Sequence, residues 1–148
     1  MSKEVLIRSA VSSDINNLME LDHHYSTDHV WQMGIRTDHA GTTEISFRET
    51  RLPRVMRVTY PRRVDNLADE WVQRLQILVA EVDEKLCGYS AVIQAPAQRG
   101  IWLTDLVVGL PYRREGIGSN LLRKTLVWSA QQGFTRLFAE VQSKNYPA

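Results

Sequence analysis

The chain is short of cysteine: Cys87 is the only one among 148 residues. A single cysteine cannot close an intramolecular disulfide, so the fold does not depend on an oxidising compartment. Long apolar runs are also missing, and none approaches the roughly 20 residues that a membrane-spanning helix needs. The N-terminus, MSKEVLIRSAV, is too short and too polar for a secretory signal. Neither charge sign dominates: Lys and Arg number 18 against 17 Asp and Glu, for a formal net charge of +1. A strongly basic nucleic-acid binder carries more positive charge than that. These absences lead to the expectation of a cytoplasmic protein with no membrane partner.

What is present fits one folded unit. Hydrophobic residues make up 43% and charged residues 24% of the chain, the balance of a globular protein and not of a disordered one. The length suits a single domain over 1–148, and no repeat, linker or low-complexity tract marks a boundary.

The pattern along the chain alternates strands and helices. Lys3 to Val11 reads as a strand. Ser12, Ser13 and Asp14 offer cap chemistry, and Ile15, Leu18, Met19 and Leu21 form a helical stripe, which predicts a helix from Ser13 to about His24. Residues 25–43 read as irregular, with Gly34 and Gly41 as breakers. EISFRETRLP and RVMRVTYP read as two extended segments parted by Pro53, with the traits of a hairpin. A short helix capped by Asn66 comes next, to Gln73. Ile77–Val82 and Leu86–Gln94 predict an antiparallel hairpin around Asp83, Glu84 and Lys85. Gly88 inside the second strand implies a bulge or a close backbone approach. Gly100–Val108 is a further strand, Gly116 opens a helix closed near Gly133, and Thr135–Val141 is a last strand.

The chemistry concentrates in TDLVVGLPYRREGIGSNLL, Thr104 to Leu122. A strand, a turn at Gly109–Pro111 and a basic, glycine-bearing loop lead into a helix. The first N–H groups of a helix lack intrahelical partners and its dipole favours negative charge there. Gly116 and Gly118 let a pyrophosphate approach the backbone, and Arg113 and Arg114 add charge-assisted donors. The loop is therefore a phosphate cradle or, on the plainer reading, an ordinary strand-to-helix connection with a solvated basic turn. It is not a Walker loop, since Ser119 and Asn120 come after Gly118 where Lys-Ser/Thr is required. A Rossmann fingerprint is excluded because Leu121 stands at its third glycine.

The run Arg113-Arg114-Glu115-Gly116-Ile117-Gly118 resembles the Arg/Gln-x-x-Gly-x-Gly/Ala segment of the GNAT (Gcn5-related) N-acetyltransferases. Leu106-Val107-Val108 before it, Pro111-Tyr112-Arg113 in the turn and Leu121-Leu122 after it match the same context. The element order, Leu86-Cys87-Gly88-Tyr89 and the Asn145…Ala148 step extend the likeness over roughly residues 3–148, with the insertion at 44–60 less typical. The resemblance implies an α/β (α+β) fold with a mixed, mostly antiparallel central sheet flanked by helices. It implies transfer of an acetyl group from acetyl-CoA, as co-substrate, to a primary amine by direct attack. The alternative is a non-catalytic CoA-binding or protein-interaction domain of the same fold.

The likeness also implies roles for residues. Leu106, Val107 and Val108 would take the pantetheine arm, Arg113 and the N–H groups of Arg114, Glu115, Gly116, Ile117, Gly118 and Ser119 the pyrophosphate, and Asn145 a further cofactor contact. Asp105 is the candidate general base, set against a structural carboxylate. Tyr25, Asp28 and Trp31 border the expected acceptor pocket. No metal is required: His23, His24 and His29 with Asp22 and Asp28 match no ligand template. The acceptor stays open among a protein N-terminus or lysine, a polyamine, an amino acid and an aminoglycoside.

The chain ends at Ala148, before the helix and final strands that the likeness leads one to expect. Either the chain is truncated, or a homodimer completes the sheet at the terminal strand's edge. The arginines between 48 and 63 admit RNA or an acidic substrate, but Glu44 and Glu49 intersperse them and favour a solvated hairpin face. Nucleic acid is thus not the expected partner. Cys87 reads as a small buried residue.

Overall fold

A computed structural model describes residues 4–148; Lys3, placed in the first strand by sequence, lies outside them. Contacts divide the chain into two compact units, one holding the residues up to His23 with Pro61–Glu140, the other His24–Tyr60 with Val141–Ala148.

The first unit is built on a five-stranded sheet in the order β1-β4-β5-β6-β7. Its strands are β1 (Val5–Ser9), β4 (Gln76–Val82), β5 (Lys85–Gln94), β6 (Gly100–Val108) and β7 (Arg136–Ala139). Every pairing is antiparallel except β6 with β7. Helices α1 (Ile15–Met19), α2 (Asn66–Glu70) and α3 (Ile117–Gln131) flank it. This is the mixed, mostly antiparallel sheet expected from the sequence.

β4 and β5 form the predicted hairpin, with a two-residue turn. Asp83 and Glu84 both adopt positive φ, 50° and 61°, the left-handed pair that matches the twist of adjoining strands. One core lies under α3. Ile117 and Leu121 are fully buried against Leu78, Ala80, Val82 and Cys87. Each such side chain contributes about 1.5–3 kcal/mol by leaving water. Thr125 continues the stripe four residues on; its hydroxyl lies 2.8 Å from that of Ser90 and donates to the Leu121 carbonyl at 2.9 Å. Leu126, the next residue, turns away from this core and is 46% exposed. Gly133, at φ 84°, ends the helix region as expected.

Two bulges shape the central strands. Ala80 pairs with Gly88 but Glu81 with Leu86, so Cys87 is an extra residue beside the glycine. Ala91 pairs with Asp105 but Val92 with Leu103, which makes Thr104 extra in β6. Gly88 also fulfils the other half of its expectation: a Cβ there would lie 2.7 Å from the Val107 carbonyl oxygen.

Several boundaries differ from the sequence reading. The helix expected to reach His24 stops at Met19. Past it His23 is buried, with its Nδ1 2.6 Å from the Leu21 carbonyl. Asn66 is the first residue of α2 and not its cap; Asp65 holds that place, without a side-chain cap bond. The last strand covers Arg136–Ala139 and not Thr135–Val141.

The largest correction falls in the second unit. Residues 25–43 are not irregular: β2 (Tyr25–Thr37) pairs antiparallel with β3 (Thr43–Val58). Gly41, at φ 83°, serves the connecting turn, whereas Gly34 is an ordinary strand residue opposite Ser46. The segments around Pro53 are one strand, and the hairpin joins β2 to β3. Thr27 pairs with Met56 and His29 with Arg51, so Pro53 sits in a bulge of four residues facing Asp28. A proline has no N–H to give a ladder and is tolerated there.

Candidate functional site

β6 leaves its neighbour halfway along. Pairing with β7 runs from Gly100↔Arg136 to Leu103↔Ala139 and stops. The Thr104 bulge falls at that point, and from Asp105 to Val108 the flank away from β5 carries no strand among the described residues. Backbone groups on such a flank can receive an extended ligand as an added strand. Val107 is buried, Val108 half-buried and Leu106 40% exposed.

Beyond Val108 the chain turns through a 3-10 turn at Leu110–Tyr112, with the Gly109 N–H donating to the Cys87 carbonyl at 2.8 Å. Arg113 anchors the loop beyond this turn. Its Nε donates to the Val108 carbonyl at 2.7 Å and a terminal nitrogen to the Asp22 carbonyl at 2.6 Å. The side chain expected to reach a phosphate thus clamps the loop to the end of β6. Arg114 (φ 69°) and Gly116 (φ 81°) are left-handed, which turns the backbone into the start of α3. Gly116 gives that helix no side-chain cap. The N–H groups of Ile117, Gly118 and Ser119 therefore open the 15-residue helix with no partner inside it. A Cβ on Gly116 would meet no atom within 4 Å, so the space over the loop is open. Uncapped amides, a dipole's positive end and an open glycine surface fit a pyrophosphate. The Ile117 side chain is 1% exposed and belongs to the core; only its backbone serves the loop.

Asp105 is 6% exposed. Thr104 Oγ1 donates to its Oδ2 at 2.8 Å, and Arg74 and Arg62 approach at 3.6 and 3.7 Å. The Arg74 side chain is 7% exposed and donates to Glu70 at 2.8 Å. Asp105 thus lies among two arginines and a hydroxyl donor. Nothing local in the sequence could show this, because Arg62 and Arg74 stand 43 and 31 positions away from it.

Near the clamp, His23 is buried, with Nε2 3.0 Å from the hydroxyl of the buried Tyr89. With Nδ1–H donating to Leu21, Nε2 accepts from that hydroxyl, and the ring is neutral. Burial holds its pKa below the ordinary 6.5, against the pull of Asp105 and Asp22. The unfolded chain therefore binds a proton near pH 6.5 that the folded chain refuses. This contribution to stability is complete above pH 6.5 and declines as the pH falls below it, down to the folded pKa. The melting temperature of His23→Gln should accordingly fall less between pH 7.5 and 5 than that of the parent. Parallel losses in the two proteins would refute the assignment. Cys87 donates to the Ala80 carbonyl at 3.2 Å and burial raises its thiol to about 11, which leaves it inert at neutral pH.

The other expected residues belong to the second unit. Tyr25 donates to Gln142 Oε1 at 2.8 Å, and burial raises its pKa. Asp28 accepts from His29 Nδ1 at 2.7 Å, which lowers its pKa, and Arg51 lies 4.0 Å away. The Trp31 backbone N–H donates to the Ser143 carbonyl at 2.9 Å. Asn145 begins a closing turn whose carbonyl receives the Ala148 N–H at 3.1 Å. The sequence reading gives Tyr146 no role, but its ring lies 5.4 Å from that of His29 and 5.6 Å from that of Trp31. A hydrogen bond to Glu49 raises its pKa. The two ring partners are more than a hundred positions away, out of reach of any local pattern. Among the described residues no group of three His, Cys, Asp or Glu is placed to hold a metal, and no helix is long and apolar enough to cross a membrane.

A sequence model described as "Acetyltransferase (GNAT) family" matches residues 40–148, well over half of the chain. A comparison with curated protein sequences gives no match. Among solved structures, a nourseothricin acetyltransferase is similar at a TM-score of 0.77 and 22% identity, over 97% of this chain and 76% of that one. A Bacillus anthracis str. Ames protein described as a streptothricin acetyltransferase, in complex with acetyl coenzyme A, gives 0.73 and 17% over 97% and 78%. The ribosomal-protein-S18-alanine N-acetyltransferase of Escherichia coli gives 0.65 and 15% over 97% and 71%. At such identities the likeness is one of fold.

Proposed function

Since the chain belongs to the acetyltransferase (GNAT) family, we propose how its own residues carry out that family's reaction. The protein is an acyl-CoA-dependent N-acetyltransferase that moves an acetyl group from acetyl-CoA to a primary amine. Acetyl-CoA supplies the thioester: the amine's lone pair forms the new C–N bond, the C–S bond breaks with its electron pair on the CoA sulfur, the amine gives up a proton to solvent, and the departing thiolate takes one up to leave as CoA.

The observation that carries the assignment of residues is the release of β6 from β7 at the Thr104 bulge. Backbone groups of Leu106, Val107 and Val108 take the pantetheine arm along the free flank, and one of these N–H groups polarises the thioester carbonyl. Amides from Arg114, Glu115, Gly116, Ile117, Gly118 and Ser119 hold the pyrophosphate at the head of α3. Arg113 acts by keeping that loop on the end of β6. Asp105 fits best as the structural carboxylate between Arg62 and Arg74, held by the Thr104 hydroxyl.

Asn145 keeps the cofactor contact that the family likeness implies, and Tyr25, Asp28 and Trp31 keep the acceptor side. Within their unit, the carboxylates of Asp28 and Glu49 lie with the rings of Trp31 and Tyr146. Acids beside aromatic faces favour a cationic amine. The similar structures named for nourseothricin and streptothricin are consistent with a small acceptor of this kind. We read 1–148 as one acetyltransferase domain. The single buried cysteine suits the cytoplasm.

Calorimetric titration tests this reading. Acetyl-CoA should bind saturably at one site, and NADH and ATP should not match it. Equal affinity for all three, or none for acetyl-CoA, would overturn the cradle. With an amine and free-CoA detection, Asp105→Asn should lower the melting temperature and leave the shape of the pH–rate profile intact. Loss of the profile's acidic limb would make Asp105 the base instead.

A further inference from the structure

The outer part of the β2–β3 ribbon is uncovered on both faces. Residues directly opposite in an antiparallel pair project to the same side, and the register sets Trp31 opposite Glu49, Met33 opposite Phe47 and Ile35 opposite Ile45. One face thus collects five large apolar side chains. Trp31 is 43% exposed, Met33 54%, Ile35 63%, Ile45 59% and Phe47 63%. The intervening rows, Gln32 with Arg48 and Arg36 with Glu44, give the opposite face a polar surface. Alternation of this kind is the pattern of a sheet with one side out of water. The base of the apolar face is already covered within the same unit, where the Tyr146 ring lies against Trp31 and His29. Beyond Trp31 no described residue covers it.

A two-stranded ribbon is marginal in water by itself, and an exposed patch of this kind marks an interaction surface. We propose that the occupant is a second copy of this chain, packed face to face through Met33, Ile35, Ile45 and Phe47 about a two-fold axis. Three observations favour that occupant.

The first is self-complementarity. The two central rows are apolar on both strands, so the patch meets an identical patch without a polar group facing an apolar one, as an isologous contact requires. The second is charge. The same face carries Glu49 and Arg51 at its base and the neutral Thr37–Thr43 row at its tip. It therefore offers a charged partner such as a nucleic acid no field of one sign, and it does not repel its own copy. The third is area. Aromatic side chains bury about 150–250 Å² each when covered and Met and Ile somewhat less, so at these exposures the five residues offer on the order of 500 Å² per copy. Two copies lose about 1,000 Å², and the polar rim brings the total to the roughly 1,200 Å² at which specific interfaces begin. The sheet-edge dimer expected from the sequence is less well supplied: β7 is four residues long, and short edge strands pair poorly. This inference does not depend on the reaction.

The test is the oligomeric state of the full chain by sedimentation velocity from about 1 to 100 μM, the range in which an interface of modest size associates. A dimer is expected. Phe47→Glu should weaken it by about 100-fold or more, the scale of a central interface residue. Because Phe47 is exposed, circular dichroism and the acetyl-CoA titration should be unchanged. A second readout does not require the dimer to be weakened. With Cys87 buried, Met33→Cys provides one accessible thiol, and mild oxidation should link it to its copy within the dimer, whereas Leu6→Cys, exposed on β1, should not cross-link. A chain that stays monomeric at 100 μM overturns the proposal. So does a dimer that survives Phe47→Glu and resists cross-linking at position 33, which would return the contact to the sheet edge.

Discussion

Gly116→Glu should leave the chain folded and lower its affinity for acetyl-CoA by at least about 100-fold, or nearly 3 kcal/mol. Two effects combine. Position 116 has φ 81°, where any residue with a Cβ is strained by about 1–2 kcal/mol. No atom lies within 4 Å of that Cβ, so the core does not feel the side chain and the strain stays in the loop. The carboxylate then stands at the head of α3, in the space proposed for the pyrophosphate, and repels it. Gly116→Ala isolates the first effect and should weaken binding by no more than about 5–30-fold, the equivalent of the same 1–2 kcal/mol. Calorimetric titration of the three proteins measures both. Glutamate and parent binding alike would show that the loop is an ordinary connection and that the family's co-substrate is held elsewhere.

The second large effect is on stability. Gly88→Ala should cost about 2–3 kcal/mol, within the range of overpacked sites, and lower the melting temperature by roughly 4–12 °C for a chain of this size. The new Cβ would sit 2.7 Å from the Val107 carbonyl oxygen and 3.4 Å from Leu121 Cδ1. The first neighbour is backbone of a central strand and cannot rotate away, so β6 must shift. The displaced segment is the one proposed to receive the pantetheine arm, and the surviving folded protein should bind acetyl-CoA more weakly as well. Gly34→Ala is the control. Its Cβ would meet the Ser46 hydroxyl at 3.0 Å, a side-chain end on an exposed ribbon, and should change stability by less than about 0.5 kcal/mol, as is usual for surface positions. Equal losses at 34 and 88 would refute the account of Gly88.

How much of the fold is legible in the sequence depends on the range of the cause. The β4–β5 hairpin, β6 and the head of α3 each arise from a few neighbouring residues: an apolar run, a polar turn, a glycine at a helix start. Their positions can be read nearly to the residue. β2 escapes such a reading because two glycines outweigh the period-two alternation of Trp31, Met33 and Ile35. Only one of them, Gly41, is used as a breaker. Pro53 misleads in the same manner, since a proline's meaning in a strand depends on whether the partner strand asks for its N–H.

By itself, the sequence determined the fold class and the strand-turn-helix segment from Thr104 to Leu122, since hydrophobic period and glycine placement act over a few residues. It also carried the family, through the run from Arg113 to Gly118. Three matters were decided by the tertiary structure alone. Pairing with β7 ends at Leu103, which frees the flank of β6. Arg113 binds the Val108 and Asp22 carbonyls and so holds the loop. Asp105 lies between Arg62 and Arg74. Each joins groups that are distant in the chain or depends on which strand lies alongside which, and electrostatic and packing energies depend on distance in space, not position in sequence.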